Sequence, residues 1–304
     1  MFSRILLVLS LWAFGPPVIC AQDFVSENPT VSQSATRVLL RCDDIGMCHA
    51  VNMAAAKALT SGLPLSFSVM FGCPWYQEAV ELLKQHPEVA VGVHLTLNAE
   101  WKHYRWGPVA GALSVPSLVD SNGLFFGSRD LFFSHNPGTA EVERELRAQI
   151  ERALRSSLRI DYVDYHMGTA VSTPELRELV EKLADEYHLG ISRYFGEADA
   201  GTWYAAPPGQ KLDSLVAVTR RLSPDTTWLM VFHIGLDTQE MQALVDLNSF
   251  GLPEVSKHRN AELDALTSKE FQRVSKEGGL RFITYRDLIG ERGLRDMKRP
   301  DAEY

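Results

Sequence analysis

The 304-residue chain has no C-x-x-C pair, no G-x-G-x-x-G element and no clustered excess of basic residues. Without C-x-x-C, a metal site built from paired thiolates is excluded, and any metal must be held by histidine and carboxylate. Without a glycine fingerprint after the first strand, a dinucleotide site is unsupported. Thirty Lys and Arg stand against 38 Asp and Glu, a net charge of −8, so the footprint of a nucleic-acid binder is missing. A neutral or cationic small substrate suits this balance better.

Long apolar runs are scarce as well. The run Ile5 to Phe14, preceded by Arg4, is too short for a stable membrane span. Gly15-Pro16-Pro17 and the small residues around Cys20-Ala21 follow it, so residues 1–21 read as a signal peptide and 22–35 as a linker. The mature protein is then expected in the periplasm or outside the cell, beginning near Gln22. Lipidation at Cys20 is the lesser reading, because Ile19 is bulky. Of four cysteines, Cys42, Cys48 and Cys73 remain after cleavage. An odd number allows at most one intramolecular bridge, and the three read as small apolar fillers.

What is present is an alternation of short β-rich runs with helical ones from residue 36, the pattern of a parallel sheet with crossover helices. Strands are predicted over Arg37–Arg41, Leu65–Phe71, Val89–Leu97, Tyr162–Tyr165, Leu189–Ser192, Thr227–Phe232 and Arg281–Thr284. Between them lie helices Ala50–Thr60, Cys73 to Gln85, Ala140–Arg155 with Thr139 as its cap, Thr173 to Tyr187 and Leu212–Leu222. A last main helix is opened by a capping box over Thr267 to Glu270. Two stretches, Asn98–Gly138 and Gly235–Asn260, read as irregular. The fold class is α/β, a distorted (β/α) barrel with about seven parallel strands in one domain over 36–291. A charged tail, 292–304, is expected to fray.

Against this strand map, Asp43-Asp44, His94, His166, Arg193 and His233 all fall at or just past the C-terminal ends of strands, which share one rim in a parallel barrel. Two adjacent carboxylates ending a buried strand repel each other unless a positive charge or a metal lies beside them. Two imidazoles and one carboxylate, with positions left for water, make a catalytic type of metal site. The nitrogen donors favour Zn2+ over Mg2+ or another divalent ion. The second aspartate can then act as a general base and a histidine across the site as an acid. Trp101, Tyr104 and Trp106 in the first irregular stretch can stack on sugar rings or pin the loop.

These residues resemble the YdjC-like carbohydrate deacetylases, relatives of the chitooligosaccharide deacetylases, over nearly the whole mature chain. The D-D-x-G element fits Cys42 to Gly46, with Asn52 at the asparagine that follows. G-x-H-L-x-L fits Gly92 to Leu97, D-x-H fits Asp164 to His166, and H-P-G fits His233-Ile234-Gly235. R-x-x-E-L-x-x-L-T fits Arg259 to Thr267, and the ending I-T-Y-R-D-L fits Ile283 to Leu288. The resemblance implies metal-dependent removal of an N-acetyl group from an amino sugar or oligosaccharide. Asp44, His94 and His166 would hold the metal, Asp43 would be the base and His233 the acid. Arg193 would orient Asp43 or bind substrate, and Arg259 with Glu262 would form a pair supporting the rim. Two departures bear on substrate choice: Gly168 stands where the family often has a second histidine, and Ile234 replaces proline. Two other readings stand beside this one. A metallohydrolase could cleave a phosphoester or cyclic amide from the same rim, or a non-catalytic envelope protein could bind carbohydrate.

Overall fold

The computed structural model describes residues 35–201 and 203–300; the expected signal peptide and most of the linker lie outside them. In chain order the first elements are β1 (Thr36–Ile45), α1 (His49–Leu59), β2 (Leu65–Val69), α2 (Tyr76–Leu83), β3 (Ala90–Leu95) and α3 (Arg129–Ser134). Then come α4 (Thr139–Leu154), β4 (Tyr162–Tyr165), α5 (Pro174–Glu186), β5 (Gly190–Ile191), β6 (Ala198–Asp199) and α6 (Lys211–Thr219). The last are β7 (Thr227–Phe232), α7 (Gln239–Gln242), α8 (Val255–Leu266), α9 (Lys269–Glu277), β8 (Leu280–Ile283) and α10 (Tyr285–Arg292).

All strand pairs are parallel. The order is β5-β4-β3-β2-β1-β7-β6, with β8 also paired to β1. β8 runs alongside Thr36 to Leu39 of β1, and β2 takes over from Leu40. The sheet is thus a curled half-barrel with β1 at its centre, the expected distorted (β/α) barrel. The seven strands predicted are all present. The additional strand, β6, is two residues long, too short to show a period within its glycine-bearing loop.

Period-2 alternation explains how one strand serves both core and site. On β1, Val38, Leu40 and Cys42 face outward into the main core beneath the helices, whereas Leu39 belongs to a smaller inner cluster with Ala90, Tyr162, Leu229 and Tyr285. Counting in twos from these inner residues gives Leu39-Arg41-Asp43, Ala90-Gly92-His94, Tyr162-Asp164-His166 and Leu229-Val231-His233. Each inner row therefore starts apolar at the bottom and ends polar at the C-terminal rim. Gly92 has a packing reason: a Cβ there would lie 2.4 Å from the Tyr162 ring.

Several boundaries differ from expectation. The cap of α4 is Gly138, with Thr139 inside the helix, and Leu154 is 41% exposed rather than on the buried face. Pro74 lies ahead of α2, whose cap position is Trp75. Ser268 caps α9 by accepting from Phe271 N, and the capping box instead opens α10, where Thr284 and Asp287 bond reciprocally. The segment after Arg292 does not fray where described: Lys298 N donates to the Tyr194 carbonyl at 2.8 Å and Arg299 pairs with Glu181.

The largest difference is α8, whose first half lies in the stretch Gly235–Asn260 read as irregular and whose second half was given no element. It has no side-chain cap, and its preceding residue, Glu254, is left-handed at φ 52°. Its buried face carries Ser256, His258, Arg259 and Glu262. Polar residues on the inward side erase the amphipathic contrast by which a helix is recognised.

Candidate metal centre and active site

The floor of a cavity of about 390 Å³ holds Asp43, Asp44, His94, His166 and His233, with Arg41, Glu100, Arg193, Arg259 and Glu262 around them. The rim expected from the strand ends is therefore formed. Alternation alone would point Asp44 outward with Leu40 and Cys42. It turns inward because Asp44 adopts φ 64° and the register to β2 shifts between Cys42 and Ile45. A left-handed residue and a bulge re-aim one side chain without moving its neighbour. Gly46 follows at φ 87°, and its N–H donates to Asn52 Oδ1 at 2.8 Å, which fixes the turn into α1.

The two aspartates, 4% and 1% exposed, each meet a guanidinium. Arg41 donates Nε and Nη2 to Asp43 Oδ1 and Oδ2, both at 2.7 Å, and Nη1 to Ser192 Oγ at 2.6 Å. Burial works to raise the Asp43 pKa, but Arg41, with His94 and His233, outweighs it and holds the carboxyl below its ordinary value. Arg259, from α8, donates to Asp44 Oδ2 at 2.6 Å and lies over the Trp101 ring at 5.7 Å. Burial opposes ionisation of Asp44 too, yet Arg259 and then the two imidazoles hold it well below its ordinary value.

Asp44 Oδ1 is left facing His94 Nε2 at 3.4 Å and His166 Nδ1 at 3.2 Å, buried and without a hydrogen-bond partner. The remaining ring nitrogens also face carboxylates: His94 Nδ1 lies within ion-pair distance of Asp164 Oδ1 at 3.0 Å, without hydrogen-bond geometry, and His166 Nε2 is hydrogen-bonded to Glu100 Oε2 at 3.0 Å. A carboxylate behind each imidazole fixes its orientation and raises its basicity, the usual support of a metal-binding histidine. Burial disfavours charging either ring, but Asp164 and Asp43 raise His94 well above its ordinary value, and Glu100 with Asp44 raises His166 to about 9. Asp44, His94 and His166 can hold a metal ion with one atom each; Asp43, His94 and Asp164 form a second such group. In the second group Asp164 stands against His94 Nδ1 and Asp43 is chelated by Arg41. The donors of the first are freer to turn toward an ion.

Other expected roles change. Asp43 is oriented by Arg41 from the same strand, while Arg193 pairs with Asp199 at 2.8 Å and borders the cavity. Arg259 and Glu262 do not pair with each other. Glu262 Oε1 accepts from the fully buried Lys211 at 2.9 Å, and its Oε2 from the His233 backbone N–H at 2.8 Å. Lys211 also donates to the carbonyls of Trp203 and Tyr204, tying His233 to the loop before α6. Trp101 borders the cavity but is 2% exposed, with its ring under Arg259 and its Nε1 on Met47 Sδ at 3.2 Å. Trp106 is equally buried and packs edge-on to His166 at 6.2 Å. Both pin the loop, as does Tyr104, which donates its hydroxyl to the Met47 carbonyl. Cys42, Cys48 and Cys73 are free and buried.

Three residues at the site, Arg41, Asp164 and Glu100, were not assigned roles from the sequence. Arg41 and Asp164 carry a signal in hindsight: each lies two residues before a rim residue, on the same strand face. Glu100 lies beyond β3 in the irregular stretch and carries none.

A curled parallel sheet that gathers buried carboxylates and imidazoles at its C-terminal rim defines an α/β barrel-type protein with a site able to hold a metal. A family model described as YdjC-like protein matches residues 37–277, and the chain belongs to that family. It is 27% identical over 273 residues to a carbohydrate deacetylase of Brevibacillus brevis, covering 83% of this chain and 99% of that one. It is 28% identical over 265 residues to a carbohydrate deacetylase of Vibrio campbellii, covering 84% and 98%. Among solved structures, a putative cellobiose-phosphate cleavage protein from Enterococcus faecalis aligns with a TM-score of 0.68 at 24% identity, covering 84% and 99%. That likeness speaks to the fold.

Proposed function

We propose that the protein is a metal-dependent hydrolase that removes the acetyl group from an N-acetylated amino sugar or oligosaccharide. The observation that carries this reading is the buried Asp44 Oδ1, without a hydrogen bond and within 3.4 Å of a nitrogen of each of two imidazoles, beside a second carboxylate bound through both oxygens by Arg41. Relatives matched over nearly their whole length are carbohydrate deacetylases, which supports the reaction type. The donor set, two nitrogens and one oxygen, suits Zn2+ better than Mg2+, which prefers oxygen ligands.

Asp44, His94 and His166 would hold the ion, which supplies Lewis acidity toward water and the acetyl carbonyl. Asp43 accepts the proton of the attacking water, whose oxygen bonds to the acetyl carbon. The low pKa that Arg41 imposes keeps Asp43 ready as an acceptor at neutral pH. His233, held at its backbone by Glu262, delivers a proton to the nitrogen as the carbon–nitrogen bond breaks. Acetate and the free amine are the products.

Purified protein loaded with Zn2+ is expected to release acetate from chitooligosaccharides, and a chelator to abolish release. No acetate from a panel of N- and O-acetylated sugars, with the ion bound, would overturn the reading. We also propose export, supported by Arg4 and the run Ile5 to Phe14. Cell fractionation with mass spectrometry should find the protein outside the cytoplasm with its N-terminus near Gln22; protein retained in the cytoplasm with Met1 intact contradicts it.

A further inference from the structure

Lys211 opens α6 and is fully buried, an unfavourable place for an ammonium on two counts. A buried charge loses its hydration, and a cation at a helix N-terminus faces the positive end of the helix dipole. Nor is a buried ion pair a strong source of stability, since apolar residues of similar volume often serve as well or better. Yet all three donors of the ammonium are used. Nζ donates to Glu262 Oε1 at 2.9 Å and to the carbonyls of Trp203 at 3.1 Å and Tyr204 at 2.5 Å.

All three partners bear on the end of β7. Glu262 Oε2 accepts the His233 backbone N–H at 2.8 Å. The Tyr204 ring stands edge-on to the His233 imidazole, with centroids 5.4 Å apart. The Trp203 ring lies against Phe232, the residue before His233, at 4.8 Å. A carboxylate is required at position 262, because the ammonium and the N–H are both donors and each needs an oxygen; a glutamine would turn its NH2 toward one of them. Just beyond, Gly235 N donates to the Arg259 carbonyl at 3.3 Å, so α8 holds the chain on both sides of Ile234. Lys211 thus ties α6, α8 and the 203–204 loop to one imidazole, while itself not bordering the cavity.

Resting on the deacetylase reading above, we propose that Lys211 is the positioning residue of His233: through Glu262, Tyr204 and Trp203 it fixes the imidazole where its proton reaches the departing nitrogen. A group misplaced by about 1 Å can cost about 100-fold in rate. Substrate contacts elsewhere in the cavity are left alone, so the loss belongs to kcat rather than KM.

The test measures acetate release from di-N-acetylchitobiose by the Zn2+-loaded protein, Lys211→Met, His233→Ala and the two changes combined. Lys211→Met should lower kcat by about 10- to 100-fold and leave KM within about twofold. In the His233→Ala background the same change should cost less than about twofold further, because no imidazole remains to be positioned. A kcat within about twofold of native in Lys211→Met, a loss carried mainly by KM, or an equal loss in the two backgrounds each overturns the proposal. Lys211→Met leaves the Glu262 carboxylate unpaired; if circular dichroism shows that it does not fold, the charge-free pair Lys211→Met with Glu262→Gln, which also lacks the anchor, is judged by the same limits. Amide exchange at His233, followed by NMR on the metal-free chain, reads the positioning apart from the reaction and should be at least about tenfold faster in the variant. Faster exchange with no acetate from the native protein sinks the deacetylase reading and leaves the hold on His233 standing. Unchanged exchange overturns that hold, whatever the activity.

Discussion

Asp43 and Asp44 are neighbours in the chain, yet the two sides of the cavity floor they head are built in opposite ways. Asp43 is held by Arg41, two residues earlier on the same strand, and Arg41 also reaches Asp164 on β4 at 3.2 Å. Asp44 is held by Arg259, 215 residues away on α8, and faces the two imidazoles. On the first side a guanidinium occupies both carboxylate oxygens; on the second it occupies one and leaves the other open. In the proposed function, chemically equal residues take the parts of a fixed base and an available ligand through the number of bonds each guanidinium makes.

The largest expected effect separates the two roles. Asp43→Asn should lower kcat by about 10²- to 10⁴-fold, the usual contribution of a general base, with far-ultraviolet circular dichroism unchanged. A variant that keeps more than a tenth of native acetate release would remove Asp43 from the chemistry.

The guanidiniums should differ in stability. Removing one partner of a buried pair costs about 3–5 kcal/mol, so Arg41→Ala and Arg259→Ala should each lower the urea midpoint of the metal-free protein. Zn2+ should recover much of the loss in Arg259→Ala, because an ion on Asp44 replaces the lost positive charge, and little in Arg41→Ala. Equal recovery in both would erase the asymmetry.

A smaller effect is expected behind the histidines. Glu100→Gln keeps the side chain's size but removes the charge on His166 Nε2. Loss of such support typically costs about 10- to 100-fold in metal affinity, measurable by competition with a chromogenic chelator; an unchanged affinity would detach Glu100 from the site.

The pH dependence is the mildest test. Because Glu100 and Asp44 raise His166 to about 9, and Asp164 and Asp43 raise His94 in the same direction, protons compete with a metal for both rings. Zn2+ must displace those protons, so its affinity should rise with pH toward about 9, by up to about tenfold per unit for each proton released. The stabilising contribution of charged His166 to the metal-free fold runs the other way. It is complete below the ordinary value near 6.5 and is lost as the pH rises through about 9. Calorimetry in buffers of different ionisation enthalpy counts the released protons, and none released at pH 7 would contradict the arrangement.

The Asp43 side was the more legible in the sequence because its logic is local. Strands end where apolar runs end, so the rim histidines of both sides, His94, His166 and His233, follow from their positions alone. The same period of two, extended downward, reaches Arg41 and Asp164. The Asp44 side depends on features without a linear period: a left-handed residue with a register shift, a glutamate in a long loop, and a helix whose inward face is polar. Resemblance to a family pointed to Arg259 and Glu262, but their partners, Asp44 and Lys211, emerged only from the fold. Trp101 and Trp106 show the converse. Aromatic residues in a loop satisfy the same pattern whether they face ligand or core, and here they fill the space beneath Arg259 and beside His166.

The division between the two aspartates is tested most directly by titrating Zn2+ into the metal-free protein and its Asp43→Asn and Asp44→Asn variants by calorimetry, with elemental analysis of each product. The account predicts one ion per chain, bound with similar affinity by the native protein and Asp43→Asn, and binding weakened by at least about 100-fold in Asp44→Asn. Retention of the ion by Asp44→Asn together with its loss from Asp43→Asn would contradict it.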